Sequence, residues 1–291
     1  MNQDIINLFD EYTHKPLKRQ EFINRLVKLT GSMAAAMTVL PMLEVNYAHA
    51  ATVSELDQDI VTENITYPGA GAQVKAYLAR PSAQGKYGGV IVIHENRGLN
   101  PHIMDVTRRV AKAGFVALGV DALSPFGGTP SDEEEARSLF AKLDTNNNLQ
   151  NFIKGFEYLK GRSDSNGKTG CVGFCWGGAM ANQLAVHVPT LVAAVAYYGR
   201  QPEAKDVSKI KAQVQLHYGG LDERVNAGIP AYEEALKKAG VRYELFIYEG
   251  AQHAFNNDTA PTRYNAEAAK LAWDRTLALF NSTLGNTAAQ K

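Results

Sequence analysis

Only two cysteines occur in the chain, Cys171 and Cys175. They lie four residues apart, on an apolar run and on the turn after it. An extended strand carries such a pair too far apart to bond, so neither a disulfide framework nor a thiolate metal site is available. A free thiol suits a reducing compartment, and a sheltered one survives export. Excess charge of either sign is also missing. Thirty Lys and Arg balance thirty Asp and Glu, which leaves no electrostatic footprint for nucleic acid or an anionic membrane. No uncharged apolar run reaches 18 residues, so a membrane-spanning helix is not expected. No H-x-x-x-H or H-x-H spacing occurs among the seven histidines, so the local pattern announces no metal site and no cofactor.

What is present is enough apolar sequence, 45% of 291 residues, for one large α/β core with an appendage. Residues 1–56 form that appendage. A polar amphipathic start, Gln3 to Phe9, leads through Lys18-Arg19-Gln20-Glu21-Phe22 to a mildly apolar segment, Leu26 to Leu43, that closes on Ala48-His49-Ala50. Basic flank, apolar centre and A-x-A outline a signal segment, close to a twin-arginine signal lacking its second arginine. Lys28 interrupts the apolar run, and Pro41 and Glu44 end it early. The other reading is therefore an arm of one or two amphipathic helices, lying on the domain or mediating self-association. The two readings place the protein in the periplasm or in the cytoplasm, and the sequence leaves both open.

Residues 57–285 alternate strands with helices, and 286–291 are a tail. Ile60 to Tyr67 and Val74 to Arg80 read as a hairpin around Pro68-Gly69-Ala70-Gly71. Gly89 to His94, Phe115 to Val120, Lys168 to Val172, Leu191 to Tyr198, Val214 to Tyr218 and Tyr243 to Tyr248 are near-continuous apolar runs, as in strands covered on both faces. Helices are predicted between them over 101–113, 131–143 with a Ser131/Glu134 capping box, 149–159, the segment after Cys175, 230–238, and finally 264–281. The expectation is a mostly parallel sheet with helices on both faces, whose functional groups gather at the carboxyl ends of strands.

Those strand ends carry Glu95, Cys175, Asp222 and His253. Cys175 stands in Gly173-Phe174-Cys175-Trp176-Gly177-Gly178, between a strand and a helix, which is the context of a nucleophile elbow. Nucleophile, then acid, then histidine is the chain order of the α/β-hydrolase triad. The thiol at a helix N-terminus would be the nucleophile, His253 its base, and Asp222 the group that fixes the imidazole tautomer. The fold places two oxyanion donors at the backbone N–H of Trp176 and of Asn96. Taken singly, each residue has a plainer reading: Cys175 as a buried small hydrophobe, Asp222 as a turn residue, His253 as a core histidine.

The elbow, V-I-H-E-N-R-G at Val92 to Gly98, L-H-Y-G-G-L-D at Leu216 to Asp222 and Y-E-G-A-Q-H-A-F at Tyr248 to Phe255 together resemble the dienelactone hydrolase family. The arm, with D-A-L-S-P at Asp121 to Pro125 and Y-G-R-Q-P at Tyr198 to Pro202, is similar to a less studied branch whose members are named as carboxymethylenebutenolidases. The resemblance implies an α/β-hydrolase fold, a small ester or lactone substrate, no cofactor, and a glutamate at the position of Glu95 that helps generate the thiolate when substrate binds. It also exposes a departure. Family members hold a substrate carboxylate with two arginines, one in the loop that here reads Asp121 to Pro125 and one where this chain has Asn257. Arg97, Arg200, Arg224 and Arg263 are the replacement candidates, with Phe255 as an apolar contact. The rival readings are a non-catalytic binding protein on the same fold and a thiol redox sensor, the latter without a well-placed resolving cysteine.

Overall fold

The computed structural model describes residues 1–15, 17–44 and 52–285. The A-x-A at 48–50 and the tail at 286–291 lie outside them. Eight strands form one sheet in the order β1-β2-β4-β3-β5-β6-β7-β8, with β1 Ile60–Pro68, β2 Gln73–Pro81, β3 Tyr87–Ile93, β4 Val116–Val120, β5 Ser165–Phe174, β6 Ala193–Tyr197, β7 Gln213–Gly219 and β8 Tyr243–Tyr248. From β4 through β8 every pairing is parallel, while β1 and β2 join antiparallel at one edge. The hairpin predicted ahead of the sheet is thus its edge.

The helices in chain order are α1 Gln3–His14, α2 Arg19–Thr30, α3 Met33–Leu43, α4 Pro101–Lys112, α5 Glu133–Phe140, α6 Thr145–Gly161, α7 Trp176–His187, α8 Glu223–Asn226, α9 Ile229–Ala239 and α10 Ala266–Thr283. One apolar core joins the sheet to α6, α7 and α9 through Phe152, Leu184 and Leu236. A second, on the opposite face, joins it to α4 and α10 through Val106, Val110 and Phe280. Strands buried on both sides explain why β3, β4 and β6 are apolar without alternation.

Helix limits follow local chemistry, with two departures from the sequence reading. The cap of α5 is Asp132, accepting from Glu135 N–H, and Ser131 lies before it. A carboxylate at the positive end of a helix gains from both the hydrogen bond and the dipole, which favours Asp over the neighbouring Ser. The arm is three helices. Gly31 adopts φ 81°, a left-handed stop that ends α2, and Ser32 then caps α3 through Ala35 N–H. The chain bends by 113° there, and no single helix is long and apolar enough to cross a membrane. The arm has an apolar cluster of its own, built on Phe9, Tyr12, Phe22, Leu26 and Leu40. Stacking of Tyr12 on Phe22, with centroids 4.4 Å apart, holds α1 to α2.

Candidate active site

The elbow forms where β5 turns into α7. Cys175 has φ 56°, a conformation costly for a residue with a Cβ. Two glycines make the turn feasible. A Cβ on Gly173 would fall on the backbone of Gly177, and one on Gly177 would fall on the carbonyls of Ile93 and His94. Tyr198 at φ 38° and Ala254 at φ 63° are the other described non-glycine residues with positive φ. All three stand at the carboxyl edge of the sheet, where backbone strain is held by the surrounding packing.

His253 enters from the loop after β8 and Asp222 from the turn after β7. The Asp222 Oδ2 accepts from His253 Nδ1 at 2.5 Å, while Asp222 Oδ1 caps α8 through Val225 N–H. With Nδ1 committed, Nε2 is the ring's free position, and it is buried without a hydrogen-bond partner. It lies within 4.8 Å of the Cys175 sulfur. Cys175 is 6% exposed and His253 5%. Cys171, in β5, is fully buried, makes no disulfide, and has its thiol pushed far up by burial.

Glu95 stands at the end of β3. Its Oε2 accepts from Asn257 Nδ2 at 2.8 Å, and its Oε1 is buried and unpartnered. Asn257 is oriented by Thr259 N–H, which donates to its Oδ1 at 3.0 Å, so its amide nitrogen must face Glu95. The sequence marked Asn257 as the place of a missing arginine; the structure makes it the donor that holds Glu95. His94 accepts Ala122 N–H at Nε2 and stacks on the Trp176 indole. Trp176 is the first residue of α7, and N–H groups of a first helical turn have no acceptor within the helix. Trp176, Asn96 and Cys175 line one cavity of about 440 Å³.

The substrate-side candidates separate. Arg200 is exposed on the rim of that cavity, and Arg97, facing Glu133 at 3.9 Å, borders a smaller cleft beside Cys175 and His253. Arg224 lines the same cavity as Arg200 and Arg263 the same cleft as Arg97, but both also hold the arm: Arg224 donates to Asp10 at 3.0 Å, and Arg263 lies over the Phe9 ring. Phe255 does not meet its expectation as an apolar contact. It is fully buried against Tyr197, Tyr198 and Tyr248, because the turn that presents His253 sends the next aromatic two residues on into the core.

Two site residues escaped the sequence reading altogether. Helix α1 lies across the mouth of the site and ends on His14, whose Nε2 is 3.0 Å from the Cys175 sulfur. His14 Nδ1 faces the Asp10 carbonyl at 2.8 Å and the Asp10 carboxylate at 3.2 Å. Burial works against a charge on His14, yet the anionic form of Cys175 and the bonds to Asp10 raise it to about 9. For Asp10, burial is opposed by His253, His14 and Arg224, which together hold its carboxyl far below the usual range. Asn96 Nδ2 to the Thr13 carbonyl at 2.5 Å, Arg137 to the Tyr12 carbonyl at 3.2 Å and Gln3 to Gln252 at 2.9 Å complete the docking. Nothing in the amphipathic pattern of α1 distinguishes His14 from any polar residue near a helix end.

Comparison with known proteins agrees with this geometry. Residues 74–284 match the dienelactone hydrolase family. A Synechocystis protein named "Putative carboxymethylenebutenolidase" is 34% identical over 244 residues, covering 78% of this chain and 98% of its own. An Escherichia coli protein named "Putative hydrolase fragment YghX" is 46% identical over 115 residues, covering 38% of this chain and 98% of its own. The crystal structure of a "Putative Dienelactone Hydrolase" from Klebsiella pneumoniae superposes with a TM-score of 0.69 at 30% identity, over 76% of this chain and 98% of that one. This chain, an α/β-hydrolase fold closed at its active edge by an N-terminal helical arm, belongs to the dienelactone hydrolase family.

Proposed function

We propose that this carboxylic ester hydrolase opens a small ester or lactone through an acyl-thioester on Cys175. The observation that carries the reading is the Asp222–His253 bond of 2.5 Å, which leaves His253 Nε2 buried, unpartnered and within 4.8 Å of the elbow sulfur. A buried nitrogen lone pair without a donor is costly. A thiol or water proton is the partner it is placed to receive.

The steps follow from these groups. The Cys175 thiolate attacks the substrate carbonyl, and the oxyanion forms against the backbone N–H of Trp176 and Asn96. The imidazolium of His253, stabilised by Asp222, returns a proton to the departing alkoxide, and the acyl group remains on sulfur. In a lactone the alkoxide stays tethered at the far end of the acyl chain. Water then attacks the thioester carbonyl as His253 takes its proton, the C–S bond breaks to return the Cys175 thiolate, and the acid product leaves as a carboxylate with its proton lost to solvent. Glu95, held by Asn257 with one oxygen uncommitted, is the switch that supports thiolate formation when substrate arrives. Arg200 and Arg97, on the two clefts beside the sulfur, are the cations that would receive a charged substrate group. The cavity admits a small substrate rather than a polymer, since a site of about 440 Å³ holds a ligand of drug size or less.

Intact-mass measurement after mixing with a panel of small esters and lactones tests the reading. An adduct of acyl mass that maps to Cys175 and decays with product formation is expected, absent in Cys175→Ala and retained in Cys171→Ala. Turnover of the same esters by a folded Cys175→Ala variant would overturn it.

A further inference from the structure

Against the expectation from cysteine count and histidine spacing, we propose that His14, Cys175 and His253 form a binding site for a borderline-soft divalent metal ion, Zn2+ above all, closed by the arm. One ligand atom from each residue lies within 4.8 Å of the other two. Tetrahedral zinc with bonds of about 2.0 to 2.3 Å sets its ligand atoms roughly 3.3 to 3.6 Å apart, so the separations need close by no more than about 1.5 Å to seat the ion. The sulfur to His14 Nε2 separation of 3.0 Å needs only a slight opening.

The outer ring nitrogens favour the same conclusion. His253 Nδ1 is held by the Asp222 carboxylate at 2.5 Å, and His14 Nδ1 by the Asp10 carbonyl at 2.8 Å, with the Asp10 carboxylate 3.2 Å away. A carboxylate behind one imidazole and a backbone carbonyl behind the other fix the tautomers whose Nε2 face the metal, the supports found behind metal-binding histidines. A triad needs only one such pair; this centre has two, both aimed at one sulfur. His253 Nε2 is 95% shielded with its residue and has no hydrogen-bond partner, so it is aimed into the site with its lone pair free. One thiolate and two imidazoles suit Zn2+ and exclude Mg2+ and Ca2+, which take oxygen ligands. The fourth position faces the 440 Å³ cavity.

Binding is a simple exchange. The ion forms one bond to sulfur and two to nitrogen, the single proton shared by Cys175 and His14 leaves to solvent, and no oxidant or reductant is needed. The ion would fasten α1 across the site. It would also occupy the sulfur and the nitrogen that ester hydrolysis requires, so the metal-bound protein is the resting, arm-closed form. The site rests on geometry and stands whether or not the hydrolase reading does.

The test is titration of the reduced full-length protein with Co2+, followed by displacement with Zn2+. A 1:1 complex with a thiolate-to-cobalt charge-transfer band and the intense visible bands of tetrahedral Co2+ is expected. His14→Ala should weaken Co2+ binding by at least about 10-fold, and Asp10→Asn by about 10- to 100-fold, the range for partners behind a ligand. Cys175→Ser should abolish the charge-transfer band. No charge-transfer band in the wild-type protein would overturn the site, and so would equal affinity in wild type and His14→Ala. Ester turnover is not among the readouts, so failure of the hydrolase reading leaves the result interpretable.

Discussion

His14 Nε2 sits 3.0 Å from the Cys175 sulfur, although 161 residues separate them. The contact joins the arm to the elbow. Asp10 faces His14 from behind and pairs with Arg224, so α1 is docked by charge at the same end that reaches the thiol.

The apolar side of α1 supplies the rest of the docking. Phe9 is buried between Arg263 and the Tyr12/Phe22 stack. Replacing it by Asp removes burial worth about 1.5 to 3 kcal/mol and places a carboxylate there, so trypsin cleavage after Lys18 and Arg19 should accelerate by at least about 10-fold. The α/β domain should remain intact in the digest, because the arm's apolar cluster is separate from the two sheet cores. Unchanged cleavage kinetics would show that α1 is not held by this contact.

Glu95→Gln should slow acylation by about 10²-fold or more and deacylation less, if the carboxylate helps generate the thiolate. Asn257 remains able to donate to the amide oxygen, so the loop bearing the Asn96 N–H is retained. Single-turnover kinetics separate the two steps. Equal slowing of both would assign Glu95 to bracing that loop, since each step passes through an oxyanion needing the same donor.

Gly177→Ala should destabilise the fold by about 3 kcal/mol or more or prevent folding, because the added Cβ meets the carbonyls of Ile93 and His94 in a central strand that cannot retreat. Gly161→Ala at the end of α6 meets nothing and should stabilise by about 0.5 to 1 kcal/mol. Denaturant midpoints of the two variants against wild type give the comparison; a neutral Gly177→Ala would mean the elbow is looser than its geometry.

His217, buried among Tyr197, Phe246, Tyr248, Gln215 and Thr276, is driven down to about 3 by burial and by Arg275. The unfolded chain therefore binds a proton near pH 6.5 that the folded chain refuses until about 3. Its neutrality costs nothing above that window and subtracts stability as pH falls from about 6.5 toward 3, by up to about 1.4 kcal/mol per pH unit. A His217→Gln variant should show a shallower loss of unfolding free energy across that range. Parallel curves for the two proteins would rule the assignment out.

Much of this molecule is legible without coordinates. Parallel strands buried on both faces write themselves as apolar runs such as Gly89 to His94, and turns that need glycine name themselves, as at Gly173 and Gly177. Chemistry in this fold collects at strand ends, so Glu95, Cys175, Asp222 and His253 could be picked out in order, and the structure brings all four to one edge. Cap position was harder to read, since Ser131 and Asp132 compete within one turn and only the helix start decides. Phe255 was misplaced because the loop past His253, with Ala254 at φ 63°, packs it into the core against Tyr197, Tyr198 and Tyr248. The place of His14 and the bond from Asn257 to Glu95 lay beyond the sequence for a different reason. Their partners, Cys175 and Glu95, are 161 and 162 residues away, and no local period encodes a contact made by one packed element on another. Amphipathicity determines that α1 must bury a face; only tertiary packing decides that the face it finds is the active edge of the sheet.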